Sequence, residues 1–203
     1  MFLPKIYPIS DARISKLSHA EQVRKFIAGG ARFIQLREKH CSIRDFFADA
    51  AEALEIARKY DAKIIINDRV DVALALKADG IHLGQDDLPP AEARKILGAE
   101  AIIGFSTHSL PQAIDAIKLP VDYIAVGPIF PTRTKENPDD VVGLKTIRTI
   151  RAETGNFPLV AIGGITLKNF RQVLNAGANS VAIISDLLSV PENVTGKIEK
   201  FFV

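Results

Sequence analysis

Seven polar strings recur along the 203-residue chain, and each follows directly on an apolar run with the length and Ile/Val content of a β-strand. They are Q-L-R-E-K (Gln35 to Lys39), N-D (Asn67, Asp68), Q-D-D (Gln85 to Asp87), S-T-H (Ser106 to His108), T-R-T-K (Thr132 to Lys135), I-G-G-I (Ile162 to Ile165) and I-S-D (Ile184 to Asp186). Strand ends far apart in sequence converge in space when the strands run parallel and share one rim. That is how the active-site mouth of a βα-repeat barrel is built. One pattern therefore constrains fold and site together.

The strand candidates are 5–9, 33–37, 63–67, 80–84, 101–105, 123–126, 159–162 and 180–184. They are short and apolar throughout, as strands covered on both faces are. Between them lie segments of helical period at 18–27, 45–60, 70–77, 91–97, 111–117, 144–151, 167–174 and 192–202. The clearest is 45–60, where Phe46, Ala50, Leu54 and Ala57 recur at steps of three and four. Ser42, Ser109 and Thr166 fit N-caps, and glycines at 29–30, 98, 155 and 177 follow helix ends. Strands alternating with helices imply parallel pairing through right-handed crossovers. Eight such units close into a (β/α)8 TIM barrel, one compact α/β domain over residues 1–203 with its site at the C-terminal ends of the strands. An open doubly wound sheet is the alternative, but it would gather the polar strings at one switch point, and no G-x-G-x-x-G opens the first helix.

The net charge of +2 and the even spread of Lys and Arg argue against nucleic acid or an anionic membrane surface as partner. No apolar run approaches the ~18 residues of a membrane span, and the N-terminus lacks a signal-peptide pattern. The single cysteine, Cys41, forms no internal disulfide and suits a reducing cytoplasm. Its neighbour His40 raises a Cys–His nucleophile as an idea, against a bystander thiol in a loop.

Gln35, Arg37 and Lys39 are spaced by two, which puts them on one face of an extended segment. Cations held in a barrel mouth need an anion. A phosphorylated ligand would serve, as would an internal ion pair with Asp68 or Glu38. Asn67-Asp68 and Asp86-Asp87 follow adjacent strands and bring carboxylates within reach of one Mg²⁺, which uses one or two carboxylates plus phosphate oxygens; N-capping of the next helices is the other reading. Thr132, Thr134 and Lys135 lie in a long segment that suits a phosphate or diphosphate, or else is a solvated loop. Gly163-Gly164 and Ser185 follow the seventh and eighth strands, where this fold often binds phosphate through backbone N–H groups. His108 is an acid–base group or an exposed loop histidine, and His82 a packed, hydrogen-bonded barrel residue. The sum is a Mg²⁺-using barrel with two anion subsites, which suits a transfer reaction releasing pyrophosphate.

The strings Q-L-R-E-K, I-I-N-D-R-V-D-V-A-L, G-I-H-L-G-Q-D-D-L-P, G-x-S-x-H, V-G-P-I-F-P-T-x-T-K and I-G-G-I closely resemble those of the thiamine phosphate synthase family, in order and spacing from Gln35 to Ser185. The resemblance implies a (β/α)8 barrel. It implies that Gln35, Leu36, Arg37, Glu38, Lys39, Asn67, Ser106 and Lys135 bind 4-amino-2-methyl-5-hydroxymethylpyrimidine diphosphate, with Arg37, Lys39, Lys135 and Ser106 in catalytic roles. It gives Thr132, Arg133, Thr134, Gly164, Ile184 and Ser185 to the thiazole phosphate, and Asp68 and Asp87 to Mg²⁺. The partners implied are small phosphorylated molecules in the cytoplasm, and a homo-oligomer is left open.

Two departures stand out. The first strand reads I-Y-P-I-S-D where the family often ends in T-D, and Asp186 follows Ser185 where a small residue is more usual. A carboxylate pointing into a phosphate site would weaken the thiazole side. The rival functions are a thiazole tautomerase, which needs no complete diphosphate and metal set, a sugar-phosphate epimerase, which should show an acid–base pair at the strand ends, and a catalytically silent binding barrel.

Overall fold

The computed structural model describes residues 3–132, 134 and 139–202. Among them run β1 (Ile6–Ser10), α1 (Ala12–Ser15), α2 (His19–Ala28), β2 (Phe33–Leu36), α3 (Ile43–Lys59), β3 (Lys63–Asn67), α4 (Val70–Leu76), β4 (Gly80–Leu83) and α5 (Pro90–Leu97). They continue with β5 (Ile102–Thr107), α6 (Leu110–Ala116), β6 (Tyr123–Val126), α7 (Gly143–Thr154), β7 (Leu159–Ile162), α8 (Phe170–Asn175), β8 (Ser180–Ile183), α9 (Ser185–Leu188) and α10 (Val194–Phe202). The strands pair in parallel in the order β1 to β8, and β8 returns to β1, so the sheet is a closed barrel without edges. The open doubly wound sheet is excluded.

Two buried layers follow from the two-residue period of the strands. Ile34, Leu36, Ile64, Ile66, Ile81, Leu83 and Ile103 face outward, where Phe26, Phe46, Leu54 and Ile147 from the helices cover them. Tyr7, Ile9, Phe33, Ile65, Tyr123, Val160 and Ala182 face inward and fill the barrel. At roughly 25 cal/mol per Å² of apolar surface removed from water, this double layer is the main stabilising contribution. It also explains why the strands read as unbroken apolar runs.

Local capping agrees with the sequence at Ser42 and Ser109, whose side chains accept from Asp45 N–H and Gln112 N–H. Ser18 and Glu21 complete a capping box on α2. The third expected cap differs. Asn169 Oδ1 accepts from Thr166 N–H (2.7 Å) and its Nδ2 donates to Gly164 O (3.0 Å), so a side-chain-closed turn occupies 166–169 and α8 begins only at Phe170. The short helices α1 and α9 were not expected, because four residues carry no periodicity. β5 runs on to Thr107, which makes Ser106 a strand residue with a fixed direction.

Candidate active site

The C-terminal ends of the strands enclose a cavity of about 820 Å³. It is lined by Gln35, Arg37, Lys39, Asn67, Asp68, Asp87, Ser106, Thr132, Thr134, Gly164, Ile184 and Ser185, twelve of the sixteen residues expected from the sequence. Lys135 and Arg133 lie outside the described residues. The remaining two are placed elsewhere. Leu36 sits at an outward position of β2 and is buried against the helices. Glu38 Oε1 accepts from the N–H groups of Lys39 (2.7 Å), His40 (2.6 Å) and Cys41 (3.2 Å), and its Oε2 meets His19 Nε2 (3.3 Å). Burial works against its charge, but these donors hold the carboxyl below its usual range. Glu38 folds the loop that turns Lys39 toward the cavity; its own side chain does not line it.

The cations on this wall already have partners. Arg37 Nη1 donates to Asp11 Oδ2 (2.6 Å), and Asp11 Oδ1 accepts from Ile14 N–H (3.1 Å) as the cap of α1. Lys39 Nζ donates to Asp68 Oδ2. The internal pair weighed from the sequence is thus formed at Lys39, whereas Arg37 uses Asp11, a residue the sequence reading passed over. The signal was present: Asp11 directly follows β1, at the end of I-Y-P-I-S-D.

Asp68 adopts φ +61°, a left-handed conformation that a short polar side chain tolerates best. α4 begins after Arg69 without a side-chain cap, so Asp68 is not its N-cap. Asp87 Oδ2 accepts from Gly84 N–H (2.6 Å), closing its own loop, and α5 starts at Pro90 without a side-chain cap. Neither aspartate pair caps a helix. Burial, and then the adjacent Asp68 carboxylate, raise the pKa of Asp87 against the opposing Gly84 N–H bond. Two carboxylates that repel each other beside a cavity are a fitting donor set for a hard divalent cation, which would relieve that repulsion. Among the described residues no group of three or more His, Cys, Asp or Glu side chains is placed to hold a metal, so such a cation would take its further oxygens from water or ligand.

The cavity floor is uncharged. Gln35, Tyr7, Tyr123, His82 and Ser106 form a connected chain of hydrogen bonds of 2.9 to 3.0 Å. Burial pushes the His82 pKa down to about 4, against a smaller pull from Asp87, so the ring is neutral at pH 7. His82 is the packed, bonded histidine expected. The tyrosines were missed, although a Tyr at an inward strand position always needs a partner for its hydroxyl. Gly104 lies in register between His82 and Tyr123, and a Cβ there would come within 2.0 Å of the Tyr123 ring. The glycine lets that ring stack on His82, with centroids 5.5 Å apart.

Across the barrel, Gly164 at φ +62° folds against Pro131 O, 2.6 Å from where a Cβ would stand, which brings backbone to the cavity wall beside Thr132, Ile184 and Ser185. Asp186 turns away: Oδ2 accepts from Leu167 N–H (3.2 Å), and Lys197 Nζ bonds its backbone oxygen. The carboxylate therefore does not enter this wall. His108 donates from Nδ1 to Gly127 O (2.7 Å) and lines the cavity instead of standing free in solvent. Cys41 is exposed, and partial burial and Glu38 push its thiol pKa up, the opposite of the lowering that activates a nucleophilic cysteine. Among the described residues no helix is long and apolar enough to cross a membrane.

Comparison with known proteins agrees with this fold. Residues 6–187 match the family model described as thiamine monophosphate synthase. The thiamine-phosphate synthase of Halalkalibacterium halodurans is 50% identical over 175 residues, covering 86% of this chain and 82% of that one. That of Koribacter versatilis is 45% identical, covering 93% of this chain and 91% of that one. The solved thiamine phosphate pyrophosphorylase of Pyrococcus furiosus is 39% identical and superposes with a TM-score of 0.87 over 98% of this chain and 93% of that one. The chain belongs to the thiamine monophosphate synthase family.

Proposed function

We propose that the protein joins 4-amino-2-methyl-5-hydroxymethylpyrimidine diphosphate to 4-methyl-5-(2-phosphoethyl)thiazole, giving thiamine phosphate and pyrophosphate. The observation that carries this reading is the division of the cavity. Arg37, Lys39, Asp68 and Asp87 stand at the ends of β2 to β4, and Gly164, Ile184 and Ser185 at the ends of β7 and β8. One wall suits a diphosphate with its cation, the other a single phosphate. The uncharged floor between them suits two flat heterocycles.

In this reaction the bond between the pyrimidine methylene and the diphosphate oxygen breaks, and its electron pair leaves with the diphosphate. The methylene carbon becomes a cation stabilised by the aminopyrimidine ring. The thiazole nitrogen then donates its lone pair to that carbon, forming the C–N bond of a thiazolium. No general base is needed for this sequence.

Arg37 and Lys39 do their work on the leaving group. Each exchanges a carboxylate partner for diphosphate oxygens, and their charge counts most as negative charge builds in the transition state. Asp68 and Asp87 would hold Mg²⁺, which when bound supplies further positive charge to the diphosphate oxygens. Gln35 and Ser106 orient the pyrimidine, and the thiazole-side residues hold its partner in line. Lys135 is proposed to share the diphosphate with Arg37 and Lys39, and Arg133 to stand on the thiazole side with Thr132 and Thr134.

The test is a direct assay. Purified protein with both substrates and Mg²⁺ is expected to form thiamine phosphate, read after oxidation to fluorescent thiochrome, and EDTA to abolish it. Folded protein that binds the thiazole phosphate but forms no product would move the assignment to an isomerase of the same fold.

A further inference from the structure

The floor of the cavity contains more polar groups than two substrate contacts require. Tyr7 and Tyr123 are fully buried, and their hydroxyls face each other at 3.0 Å in the barrel interior. Such groups are costly to bury, and their arrangement obeys a counting rule. Each hydroxyl and a neutral imidazole carries one proton, so each can donate once.

Gln35 Nε2 donates to the Tyr7 hydroxyl (3.0 Å). The Tyr7 proton then goes to Tyr123 (3.0 Å), and the Tyr123 proton to His82 Nδ1 (3.0 Å). With Nδ1 accepting, the imidazole proton sits on Nε2 and is donated to Ser106 Oγ (2.9 Å). Ser106 is left with its own proton for the cavity, and Gln35 with its carbonyl oxygen and the second N–H of the same amide. Rotating the Gln35 amide by half a turn inverts all four bonds together. Gln35 then offers N–H, and Ser106 offers only lone pairs. The suppressed pKa of His82 keeps out the doubly protonated ring that would break the rule.

We propose that Tyr7, Tyr123 and His82 are positioning residues that couple the amide orientation of Gln35 to the proton of Ser106, so that Gln35 turns its carbonyl oxygen to the bound heterocycle when Ser106 donates to it, and its N–H when Ser106 only accepts. This rests on the reading of Gln35 and Ser106 as the pyrimidine side of the site. It adds a selection rule. A 4-aminopyrimidine, with an N–H donor and ring-nitrogen acceptors, satisfies both ends in either polarity. A heterocycle that only accepts leaves one end unpaired unless the chain breaks.

The experiment compares the aminopyrimidine diphosphate with its 4-methoxy analogue, which has no donor, following pyrophosphate release so that one readout serves both. Wild-type protein should favour the amino substrate in kcat/KM, the preference combining ring reactivity with the floor's selection. Tyr123→Phe keeps the ring and removes the link, so Gln35 and Ser106 can both turn donors toward the ligand. The ratio of the two kcat/KM values should fall by about tenfold, the size of one buried group no longer left unpaired. The KM for the thiazole phosphate should not move. Tyr7→Phe cuts the chain one bond earlier and should relax the ratio in the same way, which keeps the test decisive if Tyr123→Phe misfolds.

Ring reactivity is common to every variant and cancels in the comparison. A ratio unchanged in both variants, with the two activities reduced equally, would overturn the coupling and leave the tyrosines a packing role. A wild-type protein inactive on the amino substrate would instead sink the proposed function itself, so the two failures are distinct.

Discussion

The rim and the floor of one cavity solve the problem of holding polar groups in a barrel in opposite ways. At the rim the two cations are held by carboxylates. Arg37 pairs with Asp11, Lys39 with Asp68, and Asp87 lies against Asp68. At the floor Gln35, Tyr7, Tyr123, His82 and Ser106 satisfy one another without a charge. Charged pairs can be traded for a ligand's charges, because anion and cation rearrange as a set. A neutral buried chain cannot be traded without leaving a hydroxyl unpaired. The rim therefore suits an exchange of partners with a charged ligand, and the floor fixes its hydrogen-bonding groups relative to one another beforehand.

The largest effects should come from the rim, and they should separate its two cations. Arg37→Ala and Lys39→Ala are each expected to lower kcat/KM by about 10³-fold, the loss typical of a group that stabilises transition-state charge. Their stabilities should differ. The Asp11 side chain is 3% exposed, so Arg37→Ala leaves a buried carboxylate without its cation and should cost about 2 kcal/mol. The Lys39 side chain is 44% exposed, and Lys39→Ala should cost less than about 0.5 kcal/mol. Urea denaturation of the two variants checks this. Equal stabilities would erase the distinction between a buried and a solvated end of the rim.

The aspartates come next. Asp87→Asn should raise the Mg²⁺ concentration needed for half-maximal activity by about 10- to 100-fold, while Asp86→Asn should change it little. Asp87 is bound into its loop by Gly84 N–H and influenced by Asp68, whereas Asp86 lines the cavity without those ties. A Mg²⁺ titration that ranks the two variants in reverse would reassign the metal.

Legibility in the sequence divides along the same line as the cavity. The rim was visible because charged residues cannot sit at the ends of apolar strands without a reason, and Arg37, Lys39, Asp68 and Asp87 all stand where the strings placed them. The barrel was legible because strands covered on both faces leave continuous apolar runs, and every expected strand is present within one or two residues. The floor was hidden. Tyr7 and Tyr123 read as ordinary strand aromatics, and their connection depends on register across strands 116 residues apart. Leu36 and Glu38 were carried into the site by their place within Q-L-R-E-K. Strand alternation sends Leu36 outward, and Glu38 turns onto the backbone of its own loop. Asp11 was missed because the partner of a cation is set by neighbouring strands, here β1 and β2, and not by sequence distance.

The floor should reveal itself through pH. The His82 pKa is lowered from 6.5 to about 4 by burial, so the unfolded chain takes up the proton first as pH falls. Stability from this residue is complete above about pH 6.5 and is lost as pH drops toward 4, amounting to about 2 kcal/mol at pH 5. Other carboxylates titrate in the same range, so the measurement is a difference. The change in unfolding free energy between pH 7 and pH 5 should be about 2 kcal/mol smaller in His82→Gln than in the wild type. Equal changes would mean that the imidazole accepts a proton inside the barrel and that the floor is not neutral.

The smallest effect should be at Asp186, which looks like a rim residue in sequence and belongs to neither region in space. Directly after Ser185, it would repel a phosphate if its carboxylate entered the cavity. Instead it accepts from Leu167 N–H at 3.2 Å and has Lys197 at its backbone oxygen, tying the end of β8 to the turn after β7 and to α10. Its charge is spent on the outside of the barrel. Asp186→Ala should therefore cost about 1 kcal/mol or less in stability. The KM for the thiazole phosphate should change by less than about threefold, since one surface charge at a distance is well screened. A KM that drops by an order of magnitude or more on removing this carboxylate would show that it does face the ligand, and the rim would then extend around the barrel to β8.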